Sequence, residues 1–162
     1  MTNTATVPSL HGEAMVELPV DQAFAFFTDS IGRWWPAEYH IGPSDMVDTI
    51  LESGPAGRWY ERGADGSECE WGKVLVWEPP HRLVVTWQIN GNWQYDDDPN
   101  RASEIEVRFS PDGPHQTLVE LEHRHLDRLV GGQAVHDTIA EAGGGWSSVL
   151  NALARVAAAI SR

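Results

Sequence analysis

A pair of adjacent prolines near the middle of the chain constrains the fold more strongly than any other feature of the sequence. Pro79 and Pro80 lie between two apolar segments rich in β-branched residues, 73–77 and 83–87. Two consecutive prolines remove two backbone N–H donors and fix φ, so neither a β-ladder nor a helix can continue through them. Residues 72–88 are therefore predicted to form a β-hairpin whose turn contains both prolines.

The alternation of side chains gives this hairpin one strongly apolar face. Side chains at every second position of a strand point to the same side of a sheet. By that rule, one face carries two indoles and three large aliphatic side chains, namely Leu75, Trp77, Leu83, Val85 and Trp87. Such a face has to be covered by another element.

The cover is predicted at the far end of the chain. After the glycine run at 143–145, which is expected to be a flexible break, apolar residues recur at Trp146, Val149, Leu150, Leu153, Val156, Ala157 and Ile160. This spacing predicts a helix over residues 146–160 with one apolar stripe. At the usual rise per residue the helix would be about 24 Å long, enough to lie along a sheet.

The other segments complete an α+β pattern. They predict a strand at 11–18, a helix capped by Asp21, a short helix at 31–35, and strands at 46–52, 58–62, 68–77, 82–89, 103–110 and 117–125. Residues 91–101 are predicted to be an exposed acidic loop, and the pattern leaves open whether 136–142 adds a helical turn. The predicted fold is a curved antiparallel sheet of about seven strands wrapped around a long C-terminal helix, with two short helices between strands 1 and 2. Residues 1–10 are expected to be a flexible tail and 11–162 a single domain.

Charge and cysteine content exclude several classes of function. The formal net charge is −13, which argues against binding to nucleic acid because phosphate neutralisation needs basic patches. Cys69 is the only cysteine, so an internal disulfide is impossible and a reducing compartment is favoured. There is no apolar run of membrane-spanning length and no pattern typical of a signal peptide. We therefore expect a cytoplasmic protein, monomeric or homodimeric, without a membrane span.

Four segments resemble one known family. Residues 20–36 (VDQAFAFFTDSIGRWWP), 71–87 (WGKVLVWEPPHRLVVTW), 121–126 (LEHRHL) and 145–154 (GWSSVLNALA) look like the branch of the START-like (SRPBCC) superfamily named after the activator of the heat shock protein 90 ATPase. The resemblance covers nearly everything from residue 11 to 161. It implies a helix-grip fold with a deep apolar cavity that binds lipids, sterols, polyketides or other hydrophobic molecules. Some members of the superfamily are cyclases, aromatases or dehydratases.

The residues expected to contact such a ligand are the large apolar side chains of the inner faces, together with the paired indoles of the second short helix. They are Trp34, Trp35, Trp77, Leu83, Val85, Trp87, Ile105, Val107, Phe109, Val119, Leu121, Trp146, Leu150 and Leu153. In a fold of this kind the core and the ligand contacts are largely the same residues, so ordinary core packing is the alternative role for each of them.

His123 is the most informative polar residue of the sequence. By the strand alternation it shares a face with Val119 and Leu121 and should point inward. An inward histidine could orient a ligand oxygen or act as an acid–base group. The alternative is a core histidine whose ring nitrogens are satisfied by other protein groups.

Other motifs carry little chemistry. His123 and His125 lack an evident third zinc ligand, and Asp96, Asp97 and Asp98 lack the ligand spacing of a calcium loop. Acidic neighbours should raise the pKa of the Cys69 thiol, which argues against a nucleophile. Neither a metal nor a cofactor is expected.

Three functions follow from these observations. The first is binding of a small hydrophobic ligand, such as a lipid or a polyketide-like or aromatic molecule, without strong catalysis. The second is an enzyme of the cyclase, aromatase or dehydratase type with His123 as the acid–base group. The third is a protein-interaction module that resembles the chaperone ATPase activators.

Overall fold

Seven antiparallel strands form one curved sheet in the computed structural model, which describes residues 7–141 and 145–160. The strands are β1 (Leu10–Val16), β2 (Met46–Leu51), β3 (Arg58–Gly63), β4 (Glu68–Glu78), β5 (Arg82–Trp87), β6 (Ser103–Pro111) and β7 (Thr117–Arg124). Their order in the sheet is β1-β7-β6-β5-β4-β3-β2. Sequential hairpins thus build the sheet from β2 to β7, and β1 pairs with β7 to form the edge opposite β2.

Within the described residues, four helices pack around the sheet. They are α1 (Val20–Asp29), α2 (Ile31–Trp34), α3 (Gly132–Glu141) and α4 (Gly145–Ile160), with short 3-10 turns at Pro99–Arg101 and Leu126–Arg128. The predicted helix-grip fold is confirmed: a curled seven-stranded sheet, two short helices between β1 and β2, and a long C-terminal helix. No helix within 7–141 or 145–160 is long and apolar enough to cross a membrane.

The apolar stripe of α4 packs against the inner face of the sheet, as its spacing predicts. Trp146, Val149, Leu150, Ala152, Leu153 and Ala157 are buried. The predicted stripe does not extend to the end of the helix, because Val156 is half-buried and Ile160 is 44% exposed. The start of the helix lies very close to β1, where Gly12 has no side chain: a Cβ atom there would lie 2.7 Å from the backbone nitrogen of Ser147. The predicted glycine break falls partly outside the described residues, since only Gly145 of that run is described, as the first residue of α4.

A β-bulge in β4 makes one prediction about the central hairpin wrong. Val74 pairs with Val85 and Val76 pairs with Val84, so the register shifts at Leu75. An extra residue in one strand interrupts the strict alternation of faces. Leu75 is consequently 45% exposed and Val74 takes the buried position. Beyond the bulge the alternation resumes, and Trp77 packs edge-on against Phe24 at 5.2 Å between ring centroids.

One local prediction is corrected and one open question is answered. Pro19, not Asp21, is the N-cap of α1, and the backbone N–H of Ala23 donates to the Pro19 carbonyl. Asp21 lies in the first turn, where its negative charge interacts favourably with the positive end of the helix dipole. At the other end of the chain, the segment left open by the sequence is a ten-residue helix, α3, which packs against α4.

Candidate functional site

An apolar cavity of about 230 Å³ lies between the start of α4, α3 and the inner face of the sheet. Its walls are mostly aromatic, with five indoles from Trp35, Trp71, Trp87, Trp93 and Trp146. Ile41, Ile89, Ile139 and Val149 supply most of the remaining apolar lining, and Glu38, Tyr39, His40 and Thr138 supply polar groups. A concave site of apolar and aromatic side chains with a few polar groups is typical of small-molecule binding.

Three of the cavity indoles, Trp35, Trp87 and Trp146, are held in fixed orientations by one another and by the backbone. The Trp146 ring lies 6.0 Å from Trp35 and 5.9 Å from Trp87, both edge to face. The Trp35 N–H donates to the Tyr39 carbonyl at 2.9 Å, and the Trp87 N–H donates to the Ile89 carbonyl at 3.0 Å. Because these contacts fix the three rings, the wall that they form is preformed.

A second, much smaller cavity of about 20 Å³ lies deeper in the core. It is separated from the first by three side chains that line both cavities, Trp35, Trp146 and Val149. Its volume is that of about one water molecule. The other predicted ligand contacts that surround it are Trp34, Leu83, Val85, Ile105, Val107, Leu121 and Leu150.

The structure therefore divides the predicted site residues into three groups. Trp35, Trp87 and Trp146 line the larger cavity, and Trp34 and the aliphatic residues named above surround the smaller one. Trp77, Phe109, Val119 and Leu153 line neither of these two cavities. Phe109 packs against two rings of α1, with centroid distances of 5.1 Å to Phe24 and 5.5 Å to Phe27. The third group belongs to the core packing around α1 and along α4.

His123 points inward, as the alternation predicts, but both of its ring nitrogens bond to protein groups. The Trp146 indole N–H donates to Nδ1 at 3.3 Å. Nδ1 is therefore the acceptor of a neutral imidazole, and Nε2 carries the hydrogen that it donates to Ser103 Oγ at 2.9 Å. The Ser103 hydroxyl in turn donates to the Trp87 carbonyl at 2.9 Å. This chain of bonds fixes the tautomer of His123.

Burial fixes the protonation state of His123 as well. The side chain is fully buried, and burial lowers its pKa to about 3, with a smaller contribution from His136. A neutral imidazole has one donor and one acceptor, and both are occupied. His123 thus has the bonding of a core histidine that holds Trp146 against β6 and β7, behind the cavity wall.

The histidine that reaches the cavity is His40, which no sequence pattern singles out. His40 lines the cavity, and its Nδ1 lies 3.1 Å from Oε2 of Glu61, a carboxylate only 1% exposed. Oε1 of the same carboxylate accepts the backbone N–H of Ile41 at 2.6 Å and the indole N–H of Trp71 at 2.9 Å. Glu61 therefore joins the loop that follows α2 to β3 and β4.

One signal for this pair was present in the sequence. Glu61 is two residues after Trp59 and so shares its strand face, which places a carboxylate beside a core indole. A buried charged group needs partners. No local pattern indicates that the partner is His40, because the two residues are 21 positions apart in the chain.

The weaker candidates lie apart from the cavity. His125 is exposed with φ of 60° beyond the end of β7, and no group of three potential metal ligands occurs among the described residues. Asp96 pairs with Arg101 at 2.6 Å. The pKa of Cys69 is raised, in the predicted direction, first by burial and then by the nearby charges of Glu61 and Glu70.

Comparison with known proteins agrees with this architecture. Residues 17–158 match the family model described as Activator of Hsp90 ATPase homolog 1-like protein. A solved anthrahydroquino-γ-pyrone synthase, Txn09, is 37% identical, with 93% of this chain and 97% of that chain covered and a TM-score of 0.68.

Two further solved structures are similar. The self-sacrificing resistance protein CalC from Micromonospora echinospora is 27% identical over 94% of this chain and 96% of its own, with a TM-score of 0.68. CalU16 from the same organism is 25% identical over 94% of this chain and 78% of its own, with a TM-score of 0.57. None of the curated proteins matches the chain.

Proposed function

The chain belongs to the Activator of Hsp90 ATPase homolog 1-like family, and we propose that it binds a small, flat, aromatic molecule of the polyketide type in its indole-lined cavity. The observation that carries this proposal is the cavity of about 230 Å³ with five indoles in its walls. Flat aromatic ligands suit such walls because rings pack edge to face or offset against one another.

The dimensions and polarity of the cavity support a ligand of modest size. Pockets for drug-sized ligands measure roughly 300–1,000 Å³, so this cavity of about 230 Å³ lies below that range and suits a smaller molecule. His40, Tyr39 and Thr138 could orient hydroxyl or carbonyl groups of the ligand. An anionic ligand is disfavoured because the lining is mainly apolar and the protein is strongly acidic.

The relatives support the same class of ligand. Txn09 is named for a product that combines an anthrahydroquinone with a pyrone, which are flat, oxygenated rings, and it shares 37% of its residues with this chain. CalC is named as a resistance protein and not as a synthase, so proteins of this fold are not all named as enzymes of synthesis. The aromatic ligand class therefore has more support than any particular reaction.

Calorimetric titration with quinizarin, a flat dihydroxyanthraquinone that is uncharged at pH 7, tests the proposal. Ile139 is half-buried in the cavity wall, whereas its neighbour Ala140 is exposed and lines no cavity. We expect Ile139→Trp to fill the cavity and weaken binding at least about tenfold, and Ala140→Trp to bind as the wild type does. Burial of the probe should also give a negative heat-capacity change. Equal binding by both variants, or no saturable binding by the wild type, would contradict the proposal.

A further inference from the structure

We infer that His40 and Glu61 form a general-base pair that removes a proton from a molecule bound in the indole-lined cavity. The substrate class is a flat aromatic compound with a weakly acidic O–H or C–H group. The inference rests on the proposed function, because it requires such a molecule in the cavity. It differs from the acid–base role considered for His123, whose two ring nitrogens are occupied.

The geometry orients the imidazole of His40. The side chain of Glu61 is 1% exposed, and its two oxygens face the N–H groups of Ile41 and Trp71 and the Nδ1 of His40. A carboxylate can only accept hydrogen bonds, so Nδ1 of His40 carries a hydrogen, and in the neutral ring Nε2 bears the lone pair. Nε2 makes no hydrogen bond to any part of the chain that the structure describes. This nitrogen thus belongs to an imidazole that lines the cavity.

The surroundings of the pair maintain this arrangement. The Trp35 indole N–H donates a hydrogen bond of 2.9 Å to the carbonyl of Tyr39, the residue before His40. Gly42 leaves room for the carboxylate, since a Cβ atom at that position would lie 2.7 Å from Glu61 Oε2. The His40 side chain is 23% exposed, so a proton that it takes up can pass to water. After the transfer, the imidazolium is stabilised by the buried carboxylate beside it.

Elimination from 5-nitrobenzisoxazole tests for such a base directly, because the probe is a flat aromatic carbon acid. His40 Nε2 would take the ring C–H proton, and the C–H electron pair would become the third bond of a nitrile. The N–O bond would break and its electron pair would leave on the coloured phenolate oxygen, so no oxidant or reductant is needed. A positioned general base contributes roughly 10²–10⁴-fold, and we expect His40→Gln to lower kcat by at least about 10²-fold with KM little changed.

Glu61→Gln separates a positioning role from simple packing. The amide keeps the size of the carboxylate and can still accept from Ile41 and Trp71, but its NH₂ group would donate to His40 Nδ1. The hydrogen of the imidazole would then move to Nε2 and the base would be lost, which is the effect of a wrong tautomer in a catalytic triad. We expect loss of kcat in this variant, and a switch of the protonated ring nitrogen of His40 in nitrogen NMR spectra.

The matched control is His136→Gln. His136 also pairs through Nδ1 with a carboxylate, that of Asp137 at 3.0 Å, but it does not line the cavity. Its variant should eliminate the probe at the wild-type rate. If His40→Gln and wild type show the same kcat while the unreactive analogue 5-nitroindole binds the cavity, the inference is overturned and the proposed function stands. If 5-nitroindole does not bind the wild type, both are contradicted.

Discussion

Replacement of His123 by Phe is predicted to destabilise the fold through one orphaned donor. Phe retains a planar ring but accepts nothing, so the Trp146 indole N–H loses its partner in a site where Trp146 is 4% exposed. The Ser103 hydroxyl keeps its bond to the Trp87 carbonyl. One unsatisfied buried donor costs about 1–3 kcal/mol, and we expect a loss of that size in the free energy of unfolding at pH 7, measured by urea titration.

The same substitution should alter how stability depends on pH. Burial lowers the pKa of His123 from 6.5 to about 3. The imidazole of His123 therefore becomes protonated near pH 6.5 in the unfolded chain but only near pH 3 in the folded protein. Its contribution to the free energy of unfolding is fully present above pH 6.5 and is lost as the pH falls from there towards 3. At 1.36 kcal/mol per pH unit, the wild type should lose about 2 kcal/mol between pH 7 and pH 5 from this residue alone. His123→Phe lacks this loss, so the stability difference between the two proteins should shrink by that amount.

The control for this experiment is His115→Phe. His115 is exposed in the turn between β6 and β7, and its replacement should leave the wild-type dependence on pH unchanged. A constant difference between wild type and His123→Phe from pH 7 to pH 5 would refute the argument that His123 is buried in its neutral form.

Three further predictions concern packing and charge. Leu153→Ala should destabilise the protein by about 2–5 kcal/mol in urea titration because Leu153 is 1% exposed, and a loss below about 0.5 kcal/mol would mean that the stripe of α4 faces elsewhere. Gly12→Ala should lower the melting temperature, since its Cβ would lie 2.7 Å from the Ser147 nitrogen. The control is Ala14→Gly on the same strand, which creates no clash and shows how far a substitution in β1 lowers the melting temperature without one. A mobility-shift assay at physiological salt should detect no binding to duplex DNA, because the net charge is −13; sub-micromolar binding would contradict the charge argument.

The sequence by itself determined the elements whose signals are local. The two prolines determined the position of the β4–β5 turn, and the alternation along β7 correctly predicted that His123 points inward. The helical stripe of α4 showed which side of that helix is buried. These features depend on residues within a few positions of one another, where backbone geometry dictates which side chains share a face.

The tertiary structure alone decided the register and the cavity. The bulge that exposes Leu75 depends on pairing between two strands, and alternation along one strand cannot reveal it. Whether an inward apolar residue lines a cavity or fills the core depends on the relative placement of α3, α4 and the loop after α2. For the same reason, the sequence pointed to His123, the histidine in a clear strand pattern, whereas the fold brings His40 to Glu61 across 21 residues of chain. Pair contacts of this kind form only when distant segments pack together, and no local periodicity encodes them.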